Sequence, residues 1–142
     1  MIFHRIEIKA PPEVVFAHYQ NVPTWPLWDS ETSAVALANL HVGTEGWLKP
    51  RQGPKAAIRV AQCEPNHSFT IESQLPLCRM QFGHELHTSN TNADCTTATH
   101  WVRFSGPLAF VFRRLIGRSI DKTLPATLAG LKRASEQALL AL

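Results

Sequence analysis

A chain of 142 residues, 44% apolar and only 18% charged, is long enough to bury a core of its own and slightly charge-poor for a globular composition. Its formal net charge of +3 comes from basic residues that are scattered or mixed with acids, which argues against nucleic acid as a partner, because phosphate backbones select a concentrated basic stripe. The odd set Cys63, Cys78 and Cys95, and charge already at Arg5, Glu7 and Lys9, fit a reduced cytoplasmic compartment; no apolar run approaches the roughly 20 residues of a bilayer span, so a soluble chain without membrane insertion is expected.

Residues 2 to 9 set Ile2, His4, Ile6 and Ile8 against Phe3, Arg5, Glu7 and Lys9, the period of two of a half-buried strand. Pro11 and Pro12 then stand where a helix begins, with Glu13 in its first turn and Val14, Val15, Phe16 and Tyr19 as its apolar set. Pro23 and Pro26 end that helix. Trp25, Leu27 and Trp28 between and after them are too apolar for a free loop, which predicts a second short helix or turn, packed as a lid or hinge, with Asp29 capping or contacting the turn.

From about 33 to 104 the pattern is strand after strand: 34–42, 46–50, 56–64, 68–74, 78–88 and 95–104. They are separated by Gly43 and Thr44, Gly53 and Pro54, Pro65 and Asn66, Pro76, and the polar run 89–94. After Gly106 and Pro107 the spacing becomes helical, with Phe112, Leu115, Ile116, Ile120, Leu124, Leu128, Leu131 and Ala138 on one broad face. One long C-terminal helix is predicted, kinked or divided at Pro125 by the missing backbone donor. Its cations Arg113, Arg114, Arg118 and Lys122 read as a solvated face in preference to an anion or membrane site.

Strand, two short helices, six strands and a long helix leave one compact arrangement: an α+β domain over residues 1–142, with a curved antiparallel sheet of about seven strands wrapped around the C-terminal helix. Several stretches of the chain carry a resemblance: Ile6-Glu7-Ile8-Lys9-Ala10-Pro11-Pro12-Glu13-Val14-Val15-Phe16, Trp25-Pro26-Leu27-Trp28-Asp29, the strands around Val60 to Ile71 and Thr97 to Phe104, and Leu131-Lys132-Arg133-Ala134-Ser135-Glu136. Together they resemble the START-like, or SRPBCC, superfamily, and most of all its polyketide cyclase and lipid-transport-like members. The resemblance implies a helix-grip fold with a largely apolar cavity between sheet and helix, and the short helices at its mouth. It implies a hydrophobic small-molecule ligand such as a lipid, polyketide or aromatic compound, or, in some members, cyclase or aromatase activity. The iron-containing branch carries a separate cysteine and histidine cluster that has no counterpart here, and no cofactor is called for.

Alternation puts Met80, Phe82, His84 and Leu86 on the inward face of one strand and Ala98, His100, Val102 and Phe104 on that of the next. If the first strand pairs with the last, as the family's sheet order implies, His4 lies near His100 and His84 lies on its other side, a row of three. The plain reading of such a row is core imidazoles with one nitrogen bonded to backbone or water. The others are polar groups that orient a ligand, acid–base catalysts for enolate chemistry, or a zinc site, which needs nitrogens converging at about 2.0–2.1 Å from the metal. The string His84-Glu85-Leu86-His87 is not the helical zinc-protease motif, whose histidines stand four apart; His87, Glu85 and Arg103 belong on the solvated outer face. Neither a nucleophile elbow nor a phosphate-binding glycine loop is present.

Binding or transport of a hydrophobic molecule is therefore expected, with Trp28, Phe82, His84, His100, Val102, Phe112, Ile116 and Ile120 as the ligand-contacting residues and no metal. The alternative is a polyketide cyclase, aromatase or dehydratase in which one of the histidines moves protons.

Overall fold

The structure, a computed structural model, describes residues 1–89, 91–92 and 94–141. Strand β1 (Ile2–Ile8) leads through Pro11 into helix α1 (Pro12–Gln20), where Pro12 occupies a first-turn position whose missing N–H costs nothing. A 3-10 turn (Val22–Thr24) runs into the four-residue helix α2 (Trp25–Trp28), the predicted second short helix. Strands β2 (Thr32–Ala36), β3 (Glu45–Pro50), β4 (Ala56–Glu64), β5 (Ser68–Leu75), β6 (Cys78–Thr88) and β7 (Thr96–Ser105) follow. Helices α3 (Ala109–Leu115) and α4 (Gly117–Leu140) close the chain.

The sheet order is β1-β7-β6-β5-β4-β3-β2, antiparallel throughout. This is the helix-grip arrangement: an antiparallel meander whose last strand turns back to pair with the first, with α4 across its inner face. The faces follow the alternation, with Cys78, Met80, Leu86, Ala98, His100, Val102 and Phe104 buried, and Arg79, His87, Arg103 and Ser105 exposed.

Two expectations are corrected. The first concerns β2, which ends at Ala36 instead of running to residue 42. The Asn39 side chain accepts hydrogen bonds from the His41 N–H and the Thr44 hydroxyl, so a local turn displaces the ladder; Leu37 and Leu40, three apart, are buried from that turn. The second concerns the C-terminal helix, which passes through Pro125 and divides at Ile116 instead, where φ is −112°. Pro125 lies on the exposed side, where water can serve the carbonyl it leaves unpaired. The change of phase at Ile116 turns Leu115 away from the predicted apolar face and into solvent.

The C-terminal half of α4 is fastened to β1. Lys132 Nζ donates to the Glu7 carbonyl at 3.1 Å and to Glu136 Oε2 at 2.6 Å, and Glu136 accepts the Lys9 N–H at 2.9 Å. These contacts hold the Glu136 carboxyl below its ordinary pKa, with the Lys132 bond as the main cause. Beneath them the interior forms two apolar clusters. The larger holds Ile8, Val15, Phe16, Tyr19, Trp25, Trp28, Phe69, Leu86, Leu128 and Leu131; the smaller holds Cys78, Met80, Val102, Phe104, Ala109 and Leu124. Full burial of each large apolar side chain contributes about 1.5–3 kcal/mol, so the larger cluster dominates the fold energetics.

Candidate functional site: a histidine layer between two apolar clusters

Pairing fixes one level of the sheet: His4 stands opposite His100 across β1 and β7, and His84 opposite His100 across β6 and β7. Along β6 the layer separates Phe82, which packs on the smaller cluster, from Leu86 in the larger; along β7 it separates Val102 from Ala98 in the same way. A polar seam thus crosses an apolar interior.

The three rings do not converge. His4 Nε2 turns to Asp121 Oδ1 on α4 at 2.7 Å, at the edge of the sheet, and among the described residues no three histidine, cysteine or acidic side chains gather as a metal site. His84 and His100 stay together, their ring centroids 4.7 Å apart and nearly perpendicular. The phenol of Tyr19, the chain's one tyrosine, reaches His100 Nε2 at 2.8 Å from α1. His84 lies flat on Phe69, with centroids 3.9 Å apart and planes 1° apart, and its Nδ1 is 3.1 Å from the Phe69 carbonyl oxygen.

A carbonyl oxygen only accepts, so that contact requires the proton on Nδ1 of His84 and leaves Nε2 as a lone-pair acceptor. Among the described residues Nε2 has no hydrogen-bond partner. Burial pushes the His84 pKa down to about 4, against a smaller upward pull from the Phe69 carbonyl. Burial, and then the neighbouring His84, hold His100 well below the usual histidine value. Burial raises the Tyr19 phenol. At neutral pH all three groups are uncharged, as an apolar surrounding demands. His84 sits deep in the fold and still keeps part of its surface uncovered.

Of the other candidates, Val102 is buried beside the layer, while Phe82, Phe112, Ile116 and Ile120 form a half-buried apolar wall around the smaller cluster. Trp28 lies apart from them, on the far side of Tyr19, with a centroid distance of 6.0 Å to its ring; its buried Nε1 has no acceptor among the described residues. The segment holding it is clamped. Asp29 accepts from the Thr127, Thr32 and Glu31 donors, and Gly130 lets the Trp28 carbonyl approach α4. Open depressions among the described residues lie elsewhere: one of ≈ 390 Å³ between α2 and α4, with Leu27, Arg51 and Arg133 in its wall, and one of ≈ 680 Å³ on the outer sheet face around Arg5, Glu85 and His87. Neither includes His84 or His100.

Sequence reasoning missed Tyr19 as a polar partner of the layer. Its spacing marks it only as a member of an apolar helix face, and its meeting with His100, 81 positions away, depends on how α1 lies on the sheet. A lone tyrosine between the apolar positions of that face was the available signal, since a buried phenol needs a hydrogen-bond partner.

A family model described as polyketide cyclase/dehydrase and lipid transport matches residues 3–136. No curated protein matches the chain. Among solved structures, the chain is similar to the ZhuI aromatase/cyclase from Streptomyces sp. R1128, at 16% identity and a TM-score of 0.73 over 97% of this chain and 94% of that one. It is similar to a hypothetical protein, jhp0584, from Helicobacter pylori, at 12% identity and a TM-score of 0.74 over 94% and 86%. TTHA0849 from Thermus thermophilus gives 14% identity and a TM-score of 0.69 over 96% and 97%. At these identities the likeness is one of fold.

Proposed function

Because the chain belongs to the polyketide cyclase/dehydrase and lipid transport family, we propose that it binds an apolar small molecule carrying a hydroxyl group, with the hydroxyl on His84 and the apolar body along Phe82, Val102, Phe112, Ile116 and Ile120. The observation that carries this reading is the free lone pair of His84 Nε2 on an uncharged imidazole, set beside a half-covered apolar wall. A phenol, enol or alcohol donates to that nitrogen, and the seam between the two clusters gives the bond a low-dielectric setting. Apolar burial supplies most of the affinity, at about 25 cal/mol per Å². Tyr19 and Phe69 hold the two imidazoles in place, and the ligand enters by parting the half-buried wall.

The enzyme reading, a cyclase, aromatase or dehydratase, draws support from the aromatase/cyclase among the similar structures. It is the weaker of the two on the same geometry. General acid–base catalysis is most efficient with a pKa near the working pH, and burial has moved His84 to about 4. A neutral acceptor suits recognition better than proton abstraction.

The test is a binding cycle with paired probes, a long-chain or polycyclic phenol and its methyl ether, on the wild type and on His84→Leu. The phenol should bind the wild type about fivefold more tightly than the ether, the worth of one hydrogen bond of about 1 kcal/mol, and the variant should lose that difference while retaining the ether. Failure of both probes to bind the wild type, or an unchanged difference in the variant, overturns the reading.

A further inference from the structure

At the end of the sheet where β6 begins and β7 ends, three large apolar side chains stand in solvent: Leu77 is 64% exposed, Phe110 59% and Leu115 71%. The Leu108 N–H donates to the Leu77 carbonyl at 3.0 Å, which sets the β5–β6 turn beside the start of α3, where Phe110 stands; Leu115 ends the same helix. Leu77 holds φ of +51°, the left-handed region that glycine or asparagine occupies at less cost, and its side chain contributes little to the core. Leu115 faces outward because the helix divides at Ile116.

Around these tips the charge is one-sided. Between residues 113 and 122 the chain carries Arg113, Arg114, Arg118 and Lys122 against the single acid Asp121, and that acid is engaged by His4. All four cations are exposed, and among the described residues none of them forms an ion pair. Apolar tips rimmed by unpaired cations match a lipid surface in both of its layers: the side chains reach the acyl boundary while the arginines meet lipid phosphates.

We propose that the α3 end of the molecule docks on the surface of an anionic bilayer, with Leu77, Phe110 and Leu115 at the depth of the acyl boundary and Arg113, Arg114 and Arg118 on the headgroups. Phe112 on α3, Ile120 on α4 and Ile116 between them form the half-buried wall on the inner side of the same segment, so docking brings the membrane next to the elements that carry the wall; that last step alone rests on the ligand reading above. The contact is peripheral, and no helix among the described residues is long and apolar enough to cross a membrane.

Vesicle flotation tests it, with phosphatidylcholine alone and with phosphatidylcholine plus phosphatidylglycerol. The wild type should float with the anionic vesicles only and be released at about 1 M salt, where the screening length falls to about 3 Å. Arg113→Gln with Arg114→Gln should lower partitioning about twenty-fivefold, each cation near an anionic surface contributing about a factor of five. Phe110→Ser with Leu115→Ser should abolish flotation, and both variants should keep the wild-type affinity for the phenol probe. Absence of flotation with probe binding intact overturns the docking proposal and spares the ligand reading; absence of both overturns both. Flotation unchanged in the variants, or binding to an acidic protein with none to vesicles, overturns the membrane as the partner.

Discussion

His84 is held uncharged by the company it keeps. Stacked on Phe69 and edge-on to His100, it resists a proton that the unfolded chain accepts at an ordinary histidine value. The sign of the linkage follows. Above pH 6.5 both states are neutral at this ring and it has no effect; as pH falls from 6.5 to about 4 the unfolded state takes up the proton first, so stability falls through that window and levels below it. His84 alone should remove about 3 kcal/mol between those limits, with His100 acting in the same direction. Urea unfolding across the range should show that loss in the wild type and a shallower one in His84→Leu; parallel profiles would contradict the burial of the ring. At this scale the row His4, His84 and His100 was legible from three things together: alternation gave the face, counting across the β6–β7 hairpin set His84 beside His100, and the sheet order implied by the family resemblance set His4 on the other side. The turning of His4 to Asp121 and the arrival of Tyr19 were not, because both partners come from helices whose placement no local pattern specifies.

Among the elements, the short α2 decides how the end of the grip nearer Trp28 is closed. Its carbonyl at Trp28 lies where a side chain on residue 130 would stand: a Cβ built on Gly130 falls 1.9 Å from that oxygen and 3.0 Å from its carbon. Both contacts are backbone, so neither can rotate away. Replacing a glycine within a helix by alanine ordinarily stabilises by about 1 kcal/mol, whereas overpacking of this kind costs about 1–3 kcal/mol. Gly130→Ala should therefore lose stability and loosen Trp28, read as a lower urea midpoint and a red-shifted tryptophan emission; a gain in stability would mean that α2 does not sit against α4 as described. The second short helix was legible from Trp25, Trp28 and the flanking prolines, and Asp29 from its position after the turn, although its bond to Thr127 was not. The strand boundaries of β4 and β6 could be read from alternation and punctuation alone. β2 and the division of the C-terminal helix could not, since an asparagine side chain and a change of helical phase outweighed apolar spacing.

For the molecule as a whole, the family's sheet order and the polar seam meet in one arrangement: a filled aromatic half under α1 and α2, and a half-covered apolar end under α3 and the start of α4. Apolar periodicity specified the faces that make both halves and left open which was filled, because a core stripe and a cavity wall have the same spacing. The filling comes from Phe16, Tyr19, Trp25, Trp28 and Phe69 converging from different elements. What distinguishes the seam from ordinary core is His84 Nε2, an acceptor with no partner among the described residues on a ring that keeps part of its surface uncovered. Its occupation by a ligand hydroxyl is most directly measured by imidazole nitrogen NMR of the seven-histidine chain during titration with the phenol probe. The Nε2 resonance of His84 should move as a neutral nitrogen accepting a hydrogen bond and saturate with the probe, while exposed His41 and His67 stay still. A probe that binds with the His84 and His100 resonances unmoved would place the ligand elsewhere and contradict the account.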